Sequence, residues 1–396
     1  MSPELSLRFI GAGILYLLLS LLLGVWMAVS GAPVVPAHVH LAFLGFVCGV
    51  IIATMYQQVP TLTGAELYSR RCAGASFWFF NAGMVLFILG YPSSTVLSGT
   101  GALLLSIAIY LFTFNIIATV ENRKGESYVF KFYTASALFL SLAASIGFLS
   151  VIHPKVLKYL LAHVHLALVG GVVLIIAGAM SWMLPMVLVG DIYSRRWMDY
   201  VFVLLVAGAT GLALGLGRGV LSLASGALIA GALLLFGWNM YRSATQPRKM
   251  RVSLPAVEAR FFIAGLVYIT LSALLGPVLL YTKGLKVVHA HLAALGIVQV
   301  VIGGLYHVVP TLAWVKLAKT GKVSTFRELY SAERAERIFY LYNASSGVML
   351  LGMLVDAGAL SVAGGLGVLA SVLVFGAEML GIIRMSGAFS LRQAVT

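Results

Sequence analysis

The 396-residue chain is 61% hydrophobic and only 10% charged, with a formal net charge of +14. That composition excludes an ordinary soluble domain. Two cysteines are too few for a disulfide framework or a cysteine-held cluster, and no dinucleotide fingerprint, phosphate loop or metalloprotease helix motif occurs.

Apolar stretches long enough to cross about 30 Å of hydrocarbon as a helix recur along the whole chain. They fall near 9–29, 37–58, 74–92, 97–119, 130–151, 160–186, 199–217, 219–241, 260–281, 287–312, 337–355 and 360–383. The first follows Arg8 and has the look of a signal peptide, but the stretches near 130 and 260 hold the same place further on, so it reads as a helix. The expected fold is therefore all-α, a polytopic membrane protein of twelve transmembrane helices, because helices satisfy their own backbone in lipid. It reads as one integral membrane domain, residues 1–396, made of three four-helix repeats: 1–125, 126–250 and 251–396.

The second, sixth and tenth stretches carry one segment written three times: His38-Val-His40-Leu-Ala-Phe-Leu-Gly45, His163-Val-His165-Leu-Ala-Leu-Val-Gly170 and His289-Ala-His291-Leu-Ala-Ala-Leu-Gly296. The first histidines lie 163 − 38 = 125 and 289 − 163 = 126 residues apart, and a proline closes each segment, at Pro60, Pro185 and Pro310. Fixed-period similarity of this kind implies a repeated supersecondary unit. Six of the eight histidines sit in these copies, and intramembrane imidazoles are costly enough to imply a function.

Placing the N-terminus in the cytoplasm puts 21 of the 26 basic residues inside. These are Arg8, Arg70, Arg71, Arg123, Lys124, Lys131, Arg195, Arg196, Arg242, Arg248, Lys249, Arg251, Arg260, Lys316, Lys319, Lys322, Arg327, Arg334, Arg337, Arg384 and Arg392. Only Lys155, Lys158, Arg218, Lys283 and Lys286 fall outside. The positive-inside bias thus sets both termini in the cytoplasm and the protein in the cytoplasmic (inner) membrane. It also assigns the net charge to the lipid bilayer surface, not to nucleic acid.

The histidine helices all run from outside to inside, so the six imidazoles share one depth near the outer face. Positions i and i+2 on a helix point about 200° apart. Two such histidines cannot chelate one ion from one side, and each helix instead offers one imidazole to each of two neighbours. Around three helices that makes three facing pairs, the arrangement of axial haem ligation. The glycine seven residues after the first histidine returns to nearly the same azimuth, about 10 Å deeper, where a small residue leaves room for a macrocycle edge. Zinc or copper requires three or four convergent ligands, which alternating faces do not easily supply.

At His289-Ala-His291-Leu-Ala-Ala-Leu-Gly296, running on to Tyr306-His307-Val-Val-Pro310, the chain resembles the tenth helix of the catalytic subunit of the haem–copper oxidase superfamily, nearest the nitric oxide reductase branch. Twelve helices in three quasi-symmetric arcs with cytoplasmic termini also resemble that family. The resemblance implies that His291 pairs with a second-helix histidine on a low-spin haem, while His289 faces the sixth helix. With threefold symmetry, the pairs become His38 with His291, His40 with His163, and His165 with His289. The implied cofactors are up to three b-type haems, with copper or non-haem iron as a lesser alternative. The seventh helix, where the family carries a histidine pair, has none between Asp199 and Gly217, and the eleventh-to-twelfth loop offers Asp356 where the family places an arginine pair.

The expected function is therefore electron transfer by an integral membrane cytochrome of subunit I type, with bis-histidine haems near the outer face. Quinol or a periplasmic redox protein would be the donor, and a partner subunit or second copy an associate. The alternatives are a nitric oxide or oxygen reductase with a haem–metal site, and a non-redox protein handling haem, copper or gas signals. Lys155, Lys158, Arg218, Lys283 and Lys286 are candidate partners for haem propionates, or else solvated loop charges. His153 reads as an exposed loop residue and His307 as hydrogen-bonded within the bundle. Glu378, an acid inside a span, is a candidate for proton uptake. Asn81 and Asn343 read as ties between helices.

Overall fold

The computed structural model describes residues 3–32, 34–91, 93–215, 219–246, 257–282, 284–321 and 323–388. Among these the regular structure is helical throughout, in the helices α1 Pro3–Ser30, α2 Val35–Thr63, α3 Arg70–Gly90, α4 Thr95–Glu121, α5 Phe130–Ile152, α6 Pro154–Val187, α7 Arg195–Gly215, α8 Gly219–Thr245, α9 Val257–Leu280, α10 Lys286–Leu317, α11 Ala332–Leu354 and α12 Gly358–Met385. Eleven are long and apolar enough to cross a membrane. The exception, α11, opens with Glu333, Arg334, Glu336 and Arg337 in its first two turns, which lowers its apolar content below the others.

The chain divides into two compact units. One comprises residues 1–57 with 298–396; there α1 packs on α12 and on the histidine-bearing half of α2, and α11 pairs with α12. The other, residues 58–297, holds α3 to α9; consecutive helices pack on one another, and α6 touches α5, α7, α8 and α9. Small residues set the close approaches. A Cβ on Gly83 of α3 would stand 2.9 Å from the Gly101 carbonyl of α4, so only glycine fits at that crossing.

The most apolar windows of α2, α6 and α10 are 67%, 56% and 61% buried, against 22% in α1, α5 and α9. The histidine helices are thus mostly buried over these windows, as α4 is at 61%, and side chains such as Trp78, Val96, Leu214 and Val220 present apolar surface outward, as lipid requires. Pro60, Pro185 and Pro310 lie inside their helices, which run on to Thr63, Val187 and Leu317. The prolines thus do not close the segments; each removes one amide from a helix that continues past it.

Immediately after their histidines, α2 and α6 widen into π-helix, at Leu41–Cys48 and Leu166–Val173. There the Gly49 amide donates to the Leu44 carbonyl, and the Leu174 amide to the Val169 carbonyl, five residues back. The helix α10 has no such turn and is α-helical from Lys286 to Leu317. The sequence accounts for this: His38 to Pro60 and His163 to Pro185 are each 22 steps (60 − 38, 185 − 163), but His289 to Pro310 is 21 (310 − 289). One extra residue in an otherwise fixed span is absorbed as a π-turn.

The starts of α3, α7 and α11 are held alike. The Asn115 carboxamide of α4 accepts from the Ser69 amide at 2.9 Å and donates to the Ser69 carbonyl at 2.8 Å. In α8, Asn239 makes the same two bonds to Ser194, both at 3.1 Å. In α12 the place falls to Glu378, whose Oε1 accepts from the Ser331 amide at 3.1 Å and from the Arg334 guanidinium at 3.2 Å. Glu378 is thus the third member of a set of helix clasps, not an isolated acid.

Candidate haem-ligand site

All six repeated histidines lie toward the N-terminal ends of α2, α6 and α10, in α6 just after its opening 3-10 stretch Pro154–Tyr159, and are half-buried. Each first histidine leans on the helix before it. The Nδ1 of His38 is 2.8 Å from the Ser20 carbonyl, that of His163 is 2.8 Å from the Ala143 carbonyl, and that of His289 is 2.9 Å from the Ser272 carbonyl. Each second histidine turns back on its own helix: His40 Nδ1 to the Pro36 carbonyl at 2.7 Å, His165 to Leu161 at 2.8 Å and His291 to Val287 at 2.8 Å.

A carbonyl oxygen can only accept, so Nδ1 must carry the hydrogen in all six rings. Each neutral imidazole then has its lone pair on Nε2, the nitrogen a metal would take, with the ring orientation fixed through Nδ1. The chemistry of the donor set therefore fits iron porphyrin held through Nε2.

The contacts on the preceding helices follow one rule. Ser20, Ala143 and Ser272 stand four residues before Gly24, Gly147 and Gly276. In an α-helix the residue four places on sits over the carbonyl that its own amide bonds. With no side chain there, an imidazole can reach that carbonyl. A Cβ on Gly24 or Gly147 would come within 2.8 Å of the Cε1 of His38 or His163, while on Gly276 it would stay 3.6 Å from that of His289. These residues were not singled out from the sequence. The signal was a small-x-x-x-Gly pattern ahead of every histidine pair, hidden among 42 glycines.

The glycines that were singled out do something else. A Cβ on Gly45 would lie 2.7 Å from Tyr16 Cβ, one on Gly170 2.5 Å from Phe139 Cγ, and one on Gly296 2.7 Å from the Gly265 carbonyl and 2.8 Å from Tyr268 Cβ. They seat the preceding helix, and the expected room for a macrocycle edge is filled by it. The azimuth argument also fails for Gly45 and Gly170, because both lie inside the π-turns, where 100° per residue no longer applies.

Within residues 58–297, His165 and His289 stand within electrostatic reach of each other. Among the described residues no three His, Cys, Asp or Glu side chains converge as a bare ion would need. Lys155 and Lys158 are exposed on the turn that opens α6, with the Lys158 ammonium 4.9 Å from the Tyr159 ring centroid, and Lys286 is exposed at the start of α10. Arg218 and Lys283 lie outside the described residues, as do Arg248, Lys249, Arg251, Lys322 and Arg392. His153 is exposed at the end of α5. The His307 ring meets Phe326 edge-on at 5.4 Å. Asn343 receives a bond from Gln299 of α10 at 3.2 Å and so ties two helices, while Asn81 donates to Phe77 in its own helix.

Residues 5–99, which carry the first histidine pair, match the family model of cytochrome c and quinol oxidase polypeptide I. Over that segment the chain is similar to subunit I of the haem–copper oxidases. The match spans about a quarter of its length and does not select a branch of the family. No curated protein matches it. The subunit I likeness implies haem as cofactor, and with eleven apolar helices it marks an integral membrane protein.

Proposed function

We propose that this subunit I-like chain is a b-type haem protein for electron transfer. Up to three haems lie near the outer membrane face between imidazole pairs: His38 with His291, His40 with His163, and His165 with His289. The observation that carries this reading is the common bonding of the six histidines, each with its Nδ1 against a backbone carbonyl. Six retained imidazoles, alternating in direction along three helices arranged as threefold repeats, suit flat complexes held on both faces and do not suit a bare ion.

Bound iron porphyrin supplies a one-electron couple whose potential follows its axial ligands and its burial. The chain's residues do the rest. The carbonyls of Ser20, Ala143 and Ser272 and those of Pro36, Leu161 and Val287 aim the rings and strengthen them as donors. Lys155, Lys158 and Lys286, at the same end of α6 and α10 as the histidines, are placed to meet propionates. Quinol or a periplasmic redox protein is the proposed electron donor, the termini are cytoplasmic, and the seventh helix adds no histidine for a second metal.

Optical spectra of the purified protein test this. Reduced low-spin haem b bands unmoved by carbon monoxide are expected. A carbon monoxide shift instead assigns the chain to gas reduction, and a chain purified without haem contradicts the proposal.

A further inference from the structure

We infer that the adjoining ends of α7 and α8 form a binding site for the phosphate of an anionic phospholipid, held by Arg195, Arg196 and Arg242. All three guanidiniums rest on aromatic rings. That of Arg242 lies 4.5 Å from the Tyr193 ring centroid and 5.6 Å from the Trp238 centroid. That of Arg195 lies 5.7 Å from Tyr128, and that of Arg196 lies 5.9 Å from Tyr200, whose hydroxyl accepts from Arg196 Nε at 3.2 Å. None of the three pairs with a carboxylate among the described residues. The acids beside them in sequence are Asp191, which is exposed, and Asp199, which Lys131 holds. A ring face steadies a guanidinium without cancelling its charge, and leaves most of its N–H groups to a bidentate acceptor such as phosphate. The support is fixed, because the Tyr193 amide donates to the Ser243 hydroxyl at 2.9 Å and Asn239 clasps Ser194.

The matching ends of the other two repeats use the same pieces without the excess of charge. Tyr68-Ser69-Arg70-Arg71 opens α3 as Tyr193-Ser194-Arg195-Arg196 opens α7. There Tyr68 meets Phe114 edge-on at 5.4 Å, and three residues after the clasp asparagine stands Ala118 in place of Arg242. Arg70 pairs with Glu66 at 3.6 Å and Arg123 with Glu126 at 3.0 Å. In the third repeat that place falls to Gly381, and Arg334 is taken by Glu378 at 3.2 Å. The middle repeat thus sets a third guanidinium against the two aromatic side chains whose counterparts touch in the first. The surroundings suit a lipid. Tyr200, Trp238 and Tyr241 are exposed, as amphipathic rings are at headgroup depth. Eight residues inward from Arg195 and from Arg242, the exposed Val203 and Leu234 line the same two helices where acyl chains would lie. On the topology proposed above these ends face the cytoplasmic leaflet, whose anionic lipids attract basic side chains beside a span. A free phosphate ion would use the charge but not the apolar rows.

Titration of the purified, delipidated full chain in detergent tests the site, with phosphatidylglycerol, phosphatidylcholine and inorganic phosphate as probes, and with bound phosphorus and thermal midpoint as readouts. Phosphatidylglycerol should bind saturably and raise the midpoint, and phosphatidylcholine should do neither. Arg242→Gln and Arg195→Gln should each weaken phosphatidylglycerol binding about fivefold. Arg71→Gln, which removes the same charge at the start of α3, should leave it unchanged. Should Arg242→Gln fold poorly, Arg196→Gln gives the same reading from an exposed side chain. Equal binding of phosphatidylcholine, displacement of the lipid by inorganic phosphate, or an equal loss in Arg71→Gln overturns the inference.

Discussion

Two of the histidine helices and the third part company just below their histidines. In α2 and α6 an extra residue is taken up as π-helix, whereas α10 lacks both the residue and the turn. Yet all six rings keep the same Nδ1 bonding. The histidine end of each helix is therefore held by its contacts with the helix before it and with its own preceding turn. The proline end is free to differ in register. A single insertion rotates everything beyond it by about 100° in an α-helix, and a π-turn confines that rotation to the turn.

Adding one residue to α10 between His289 and His291 should have the largest effect. It breaks the i, i+2 divergence and should remove the haems that both rings serve, whereas the same insertion after Gly296 should be absorbed as in α2 and leave haem content unchanged. Haem-to-protein ratios of the two insertions decide it, and equal loss in both contradicts the separation of the two ends.

Next in size are the cradle glycines. Gly147→Ala drives a Cβ to 2.8 Å from His163 Cε1, so the ring must move. Overpacking of this kind costs about 1–3 kcal/mol, more than the roughly 1 kcal/mol that alanine gains over glycine in a helix. Gly276→Ala meets His289 at 3.6 Å, an ordinary contact, and should be neutral. Thermal midpoints and haem retention in detergent should fall for Gly147→Ala and for Gly24→Ala but not for Gly276→Ala.

The clasps come third. Asn115→Ala leaves the Ser69 amide without its partner, while the Ser69 carbonyl keeps the Ala73 amide, and should cost about 1–3 kcal/mol. Glu378→Asn gives the third clasp the residue that serves in the other two, so its melting point should stay close to wild type. A larger loss in Glu378→Asn than in Asn115→Ala would mean that the carboxylate has a task beyond holding α11. The smallest effect belongs to Lys155→Ala with Lys158→Ala. Both side chains are exposed, so stability should change by no more than about 0.5 kcal/mol, while loss of positive charge beside propionates should lower a haem potential slightly.

Much of this was legible in the sequence because the membrane makes polar side chains conspicuous. The helices, the histidine repeat and the i, i+2 divergence follow from spacing alone. The π-turns are also written there, in the 22, 22 and 21 steps from histidine to proline, but a one-residue difference in a repeat of about 125 residues is inconspicuous. The cradles were not conspicuous: serine and glycine are common in such helices, and only the direction of Nδ1 shows which of them matter. Glu378 is the opposite case. A lone carboxylate in an apolar run suggests proton chemistry, and the partner that gives it a structural role is a backbone amide 47 positions away.

The central claim is that facing imidazoles on neighbouring helices share a haem, and His165 with His289 is the pair to test. Haem-to-protein stoichiometry should fall by one in His165→Ala, by one in His289→Ala and by no more than one in the double variant, with the remaining haems spectrally intact. Full haem content in both single variants, or a loss of two in the double, would contradict the account.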